Sequence, residues 1–179
     1  MMQNETIDVL MRRHSTRAFC DRPIPEEDIR TLLRAAMAAP TAVNARDWAF
    51  LAVTDRDTLC RMAEANGPAA NPLRSAALGI LVCGDLSRTY PKAPDYWIID
   101  GAIAAENMAI AAEALGIGCV WLGTWPQSGK VDAQAKLFSL PDHIRPHSIL
   151  AFGYAADEQP RPKVQRPEWE ADRVHFEKW

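Results

Sequence analysis

Between Asp95 and Leu115 the chain reads as one long helix that has almost no polar face. Asp100 and Asn107 fall on one narrow stripe of it, and Glu106 and Glu113 on another, well separated. Between the stripes stand mainly Ala, Ile, Met and Leu. A helix apolar nearly all round is a buried helix, and a chain of 179 residues hardly encloses one alone. A subunit interface is the economical explanation; burial within a single chain is the other.

The rest of the chain alternates helix and strand around this element. Residues 4–13 read as a helix, with Ile7, Leu10 and Met11 at helical spacing. A second helix follows Pro25, where Ile29, Leu32, Leu33, Ala36 and Met37 form an amphipathic face, and Ala39-Pro40 stops it. WAFLAVT (48–54) reads as a buried strand, and Asp55 to Asn66 as a helix ending at Gly67. ALGILVCGD (77–85) is continuous and apolar, as in a sheet covered on both faces. After the long helix come a strand at 117–123, a helix near 129–138 and a last strand at 147–155. Residues 157–179 are polar, proline-rich and aromatic, without a clear period, and read as an arm lying over another surface. Such alternation predicts an α/β or α+β sandwich in a single domain.

Charge and cysteine usage narrow the function classes. A net charge of -3 argues against an electrostatic binder of nucleic acid or membrane surface. No apolar run reaches the length of about 20 residues that spans a bilayer, and MMQNETIDVLMRRHSTR is not a secretory signal. Cys20, Cys60, Cys83 and Cys119 are widely spaced, which suits reduced thiols and a cytoplasmic location rather than a zinc site or a disulfide framework.

Several motifs fail. The chain has no P-loop, no H-E-x-x-H and no G-x-S-x-G. Gly116, Gly118 and Gly123 follow a helix and enter a strand, the reverse of a dinucleotide fingerprint. His143 and His147 stand four apart with Pro146 between them, and read as surface loop histidines rather than metal ligands.

Three clusters can carry chemistry. RRHSTRAF (12–19) gathers Arg12, Arg13, His14, Ser15, Thr16 and Arg17 at the end of a predicted helix. Cations at that pole are favourable for structural reasons alone, so a solvated cap is one reading. The other is a phosphate site, in which guanidiniums and a hydroxyl supply the attraction. AAPTAVNARDW (38–48) follows the second helix with short polar groups and can be an ordinary loop or a cradle for a flat polar ring edge. The tail PRPKVQRPEW (160–169) places Lys163 and Arg166 among prolines, as a solvated basic tail also does.

In this order, and with the long helix, these clusters resemble the nitroreductase family of FMN enzymes. RRHSTRAF is similar to that family's N-terminal phosphate-binding segment, and APTAVNARDW to its Ala-Pro-Ser-x-x-Asn-x-Gln-Pro-Trp loop. DGAIAAENMAIAAEALGIGCVWLG (100–123) resembles its central interface helix and next strand, and residues 152–179 its Gly-Tyr, basic and Val-His-x-x-x-Trp ending. The resemblance implies an α+β fold, three-layered α-β-α, with a central, mainly antiparallel sheet and a long dimer-interface helix. It also implies a homodimer with two FMN sites, each built from both subunits.

Carried over by position, Arg13, Ser15, Arg17 and Arg166 would hold the FMN phosphate, with His14 beside it and Lys163 a less secure ligand. Pro40, Thr41, Ala42 and Asn44 would come from the other subunit and line the flavin ring. Asn71 and Arg74 match positions on its pyrimidine side, and the backbone around Leu122 and Gly123 would face flavin N5 and O4. The implied activity is NAD(P)H-dependent reduction of nitroaromatics, quinones or similar electron-poor small molecules. The alternatives are a redox-sensing or storage dimer without efficient turnover, or a specialised activity such as reductive dehalogenation.

Departures from the family pattern also set expectations. SRTYPKAP (87–94) stands where larger members insert a helical lid, leaving Tyr90, Tyr96 and Trp97 to roof the pocket or to pack in the core. Arg46 replaces the usual Gln, and either favours an anionic substrate or lies on the surface.

Overall fold

The computed structural model describes residues 4–156 and 169–179. Local chemistry starts and stops each element. Helix α1 (Glu5–Arg12) is capped by Asn4, whose side chain accepts the Ile7 amide. Helix α2 (Glu26–Met37) begins after Pro25 with three acidic residues in its first turn, which complement the positive pole. Strand β1 (Trp48–Val53) leads to α3 (Arg56–Asn66), capped by Asp55 and ended by Gly67 at φ 83°. Strand β2 (Leu78–Asp85) precedes α4 (Tyr96–Ala114) and β3 (Gly118–Gly123). Helix α5 (Ser128–Leu137) and strand β4 (Ile144–Gly153) complete the body.

The turn from α4 into β3 depends on Gly116 at φ 71°. That conformation lets the Ile117 amide return to the Ala112 carbonyl at 2.8 Å, closing the helix end.

Among the described residues, four antiparallel strands form the sheet in the order β1-β2-β4-β3. Side chains alternate along a strand, and here both faces are covered. Ile80, Val82, Leu150 and Phe152 pack against Leu32 and Ala36 of α2 and against Ala104, Ala105 and Met108 of α4. Leu81, Cys83, Ile149 and Ala151 face Leu59, Met62 and Leu73 on the opposite side. The result is the expected three-layer α-β-α arrangement.

One broad face of helix α4 is buried within the chain itself. Trp97, Asp100, Gly101, Ala104, Ala105, Met108, Ala109 and Ala112 are all covered by the chain itself. Small residues let the sheet and α2 approach closely. Another stripe is incompletely covered: Ile99 is exposed, Ile103 and Ile110 are half-buried, and the exposed Glu106 stands between them. On α1 the buried residue is Val9, whereas Ile7, Leu10 and Met11 are exposed.

One expectation is corrected, and the choice left open for Trp97 is resolved. His147 is not on the surface; it is 6% exposed in β4, which begins three residues earlier than the pattern suggests. Val82 pairs with Ser148 and Cys83 with Pro146, leaving His147 as the extra residue of a bulge. There its ring meets Trp97 and Trp121 edge-on. Trp97 in turn packs over Gly84 and against Trp125, so it belongs to the core and not to a pocket roof. Tyr96 is exposed and Tyr90 half-buried.

Candidate active site

The residues after α1 run beside β3. Ser15 bridges Cys119 in parallel, and the Thr16 amide donates to the Cys119 carbonyl at 2.9 Å. Gly118 makes this approach possible, because a Cβ there would lie 2.8 Å from Thr16 Cβ. With Thr16 buried as the anchor, Arg13, His14, Ser15 and Arg17 are held on one segment along the strand. Carboxylates of α4 meet this segment. Arg13 lies 3.3 Å from Glu106, and Arg12 and His14 lie 3.8 and 3.5 Å from Glu113. Arg17 is exposed and bonds only the Ser15 carbonyl, at 3.5 Å, among the described residues.

The other stripe of α4 holds the loop after α2. Asn107 donates to the Ala35 carbonyl at 3.1 Å, and Asp100 accepts the Ala42 amide at 3.0 Å. Pro40, Thr41, Ala42 and Asn44 therefore sit against the N-terminal half of the helix. Asp100 and Glu106 are separated by about 9 Å along the axis and point roughly 120° apart. Within one chain, the loop and the cationic segment consequently lie on different flanks of α4.

At the far end of β3, the Leu122 side chain is buried in the core, so only its backbone can face a ligand. Gly123 is exposed, and a Cβ built on it would meet nothing within 4 Å. Its carbonyl accepts from Asn66 Nδ2 at 3.1 Å and from Lys130 Nζ at 3.4 Å. Asn66 is 1% exposed, and its Oδ1 takes the Thr124 hydroxyl at 2.8 Å. Asn71 and Arg74 lie in the 3-10 turn Pro68–Arg74 that follows; both are exposed, and Arg74 reaches back to Glu64 at 3.4 Å. Arg46 is exposed and turns to Asn44 Oδ1. Lys163 and Arg166 lie outside the described residues.

Sequence reasoning missed Asn66, Lys130 and Asp47. Asn66 read as the last polar residue before a helix-stopping glycine, and nothing local marks it as buried. Lys130 carries no signal in its neighbourhood. Asp47 looks like loop polarity, yet it is fully buried beside Asp100. Burial first, and then the Asp100 carboxylate, push it up to about 6. Burial also lowers His147, which favours its neutral form.

The described residues hold no cluster of His, Cys, Asp and Glu suited to a metal ion, and no helix long and apolar enough to cross a membrane.

Comparison with known proteins agrees with this arrangement. The profile of the nitroreductase family matches residues 10–76 and 68–154. A Methanothermobacter thermautotrophicus protein named "Putative NADH dehydrogenase/NAD(P)H nitroreductase" is 38% identical over 175 residues, covering 98% of this chain and 88% of that protein. The FMN reductase (NADPH) of Bacillus subtilis is 27% identical, over 86% of this chain and 67% of its own length. A solved structure from Parabacteroides distasonis, bearing the same name as the first relative, superposes with a TM-score of 0.87 at 35% identity. It covers 99% of this chain and 100% of that one. On profile, sequence and fold together, the chain belongs to the nitroreductase family.

Proposed function

We propose that this protein is an NAD(P)H-dependent FMN oxidoreductase that works as a homodimer and reduces electron-poor small molecules such as nitroaromatics or quinones. The observation that carries this reading is the anchoring of the Arg13–Arg17 segment along β3, whose far end opens at Gly123. One strand thereby joins a cationic end suited to a phosphate and an uncrowded backbone end suited to a flat ring. The names of the relatives, an NAD(P)H nitroreductase and an FMN reductase using NADPH, point the same way.

The residues present fit FMN. Arg13 and Arg17, with His14 and Ser15, would hold the phosphate by charge-assisted bonds, and Arg166 and Lys163 would add to them. Open space beside Gly123 admits a ring edge, where the backbone of Leu122 and Gly123 would face it. Pro40, Thr41, Ala42 and Asn44 bring no charge against a ring face. Asn71 and Arg74 would stand at its polar edge, once Arg74 shares its charge between the ring and Glu64.

Bound FMN supplies the electron transfer itself, from a nicotinamide donor to an acceptor. The chain's part is to bind and orient. Asn66 and Lys130 fix the Gly123 carbonyl and so fix the direction of that peptide. No side chain is needed to move a proton in this scheme, and the donor and acceptor occupy the same open face in turn. The loop and the cationic segment lie on different flanks of α4, which supports a site completed by a second copy. So do the incompletely covered Ile99, Ile103 and Ile110 of α4, together with exposed Ile7, Leu10 and Met11. In this reading the whole chain acts as one domain, and the arm expected at 157–179, of which 157–168 lie outside the described residues, would lie on the partner. Trp169, Phe176 and Trp179, exposed at 71%, 75% and 98%, support this reading. A cytoplasmic location suits reduced nicotinamide as the donor.

An absorption spectrum of the purified protein followed by anaerobic NAD(P)H titration tests the proposal. A flavin spectrum that bleaches rapidly with NADH or NADPH, and returns on adding a nitroaromatic or quinone, is expected. Bound flavin that bleaches only slowly would favour a sensing or storage dimer, and absence of flavin binding would refute both.

A further inference from the structure

The loop after α2 has an unusual backbone. Val43, Asn44 and Arg46 all have left-handed φ values, of 48°, 58° and 51°. A β-branched residue rarely adopts that conformation, so the surrounding structure must impose it. Within the loop, the Asn44 amide donates to the Thr41 carbonyl and the Arg46 amide to Thr41 Oγ1, each at 3.0 Å. The loop is tied to α4 by the bond from the Ala42 amide to Asp100 Oδ2.

Behind that bond lies Asp47. It is 0% exposed, and neither of its carboxylate oxygens has a hydrogen-bond donor among the described residues. Asp100 is itself only 3% exposed. Ionised carboxylates only accept hydrogen bonds, so two of them side by side in a dry site repel. A proton on Asp47 converts the repulsion into a hydrogen bond that Asp100 accepts.

We propose that Asp47, buried against Asp100, is a positioning residue whose carboxyl proton clamps the Thr41–Arg46 loop onto α4, and that the loop slackens when this proton leaves for solvent. Its bearing on the cofactor rests on the reading that this loop lines the flavin ring.

The groups around the pair reinforce the effect. On β2, Asp85 adds negative charge, although its carboxylate is turned to the amide and hydroxyl of Ser87. On β4, His147 lies against Gly101 and is driven toward its neutral form by burial. On the loop, Arg46 is turned to Asn44. No described residue forms a salt bridge with Asp47 or Asp100. The resulting rise of Asp47 to about 6 places the change between about pH 5 and pH 7.

The experiment is amide hydrogen exchange on the full chain without flavin, from pH 5 to pH 8, for the unmodified protein and Asp47→Asn. FMN titration by fluorescence is run in parallel. Protection of the Ala42 amide, corrected for intrinsic exchange, is expected to fall roughly tenfold across that range in the unmodified protein. In Asp47→Asn the carboxamide donates permanently to Asp100, so protection should stay high at every pH. FMN affinity should diverge between the two proteins as pH rises, and this comparison cancels the ionisation of the FMN phosphate.

Flat Ala42 protection in the unmodified protein overturns the proposal, as does an Asp47→Asn variant that keeps the same pH dependence. If Ala42 responds as expected while FMN affinity does not diverge, the clamp stands and the loop's place at the flavin is refuted. Asp100→Asn, which can accept from Ala42 and donate to Asp47, makes the same test from the other side should Asp47→Asn not fold. The pH series on the unmodified protein needs no variant at all.

Discussion

Arg13 meets Glu106 at 3.3 Å, on the flank of α4 turned away from Asp100. Both side chains are partly exposed, and such a pair contributes about 0–1 kcal/mol to stability. Its larger consequence concerns an incoming phosphate, which must share Arg13 with a carboxylate. Glu106→Gln is therefore expected to leave the melting temperature nearly unchanged and to tighten FMN binding. Calorimetric titration checks this, and weaker binding in the variant would count against Arg13 as a phosphate ligand.

Arg17 has no carboxylate partner among the described residues, and its guanidinium is available to an anion. Arg17→Ala should weaken FMN binding by about 1.5–3 kcal/mol, the worth of a hydrogen bond to a charged group, with the fold intact by circular dichroism. Full flavin occupancy in the variant at micromolar concentration would overturn the phosphate assignment.

The incompletely covered stripe of α4 predicts an assembly. Ile103→Asp places a charge where an apolar partner surface is expected, at a position only half-buried in the single chain. Dimer and flavin should be lost together, as read by light scattering and absorbance on the same sample. A variant that remains a flavin-loaded dimer sinks the interface reading.

Gly118 spaces the cationic segment from β3. Gly118→Ala would bring a Cβ within 2.8–2.9 Å of three atoms of Thr16, forcing that segment outward. FMN affinity should fall at least as much as for Arg17→Ala. Stability should fall by about 1–3 kcal/mol, typical of overpacking; denaturant unfolding and flavin titration measure the two effects separately.

Asp47 makes stability depend on pH in a definite direction. Its folded value, about 6, lies above the ordinary 3.8. Between these values the folded chain holds a proton that the unfolded chain has released, so stability falls as pH rises from about 4 to about 6 and is level above that. The loss is on the order of 2–3 kcal/mol. Chemical denaturation of the unmodified protein and Asp47→Asn across this range should give a difference that widens with pH and then stops. A constant difference would show that Asp47 is ionised in the fold throughout.

Much of the framework was legible in local patterns. Asp55 and Gly67 mark the ends of α3, and the apolar run through Val82 marks a strand covered on both faces. The two polar stripes of α4 were visible as spacing alone. Asp100 with Asn107, and Glu106 with Glu113, recur at two-turn intervals whatever surrounds them. What each stripe meets could not be read, because the partners are brought there by chain segments far away in sequence. Ala35 and Ala42 approach one stripe, and Arg13 approaches the other.

The residues misjudged have a common cause. His147 looked like a loop histidine because Pro146 forbids a helix, but a bulge opposite Cys83 turned it into the interior. For Trp97 the choice between pocket roof and core, and for Asn66 the burial itself, were set by neighbours from distant strands. Local patterns placed the helices and strands and marked both sheet faces as buried, because periodicity, capping and turn chemistry act over a few residues. The grouping of the three clusters came instead from the family resemblance. The strand order β1-β2-β4-β3, the placement of loop and cationic segment on different flanks of α4, and the burial of Asp47 against Asp100 emerge only in three dimensions. These depend on long-range packing, where the cost of a buried charge is set by atoms that its sequence neighbours do not supply.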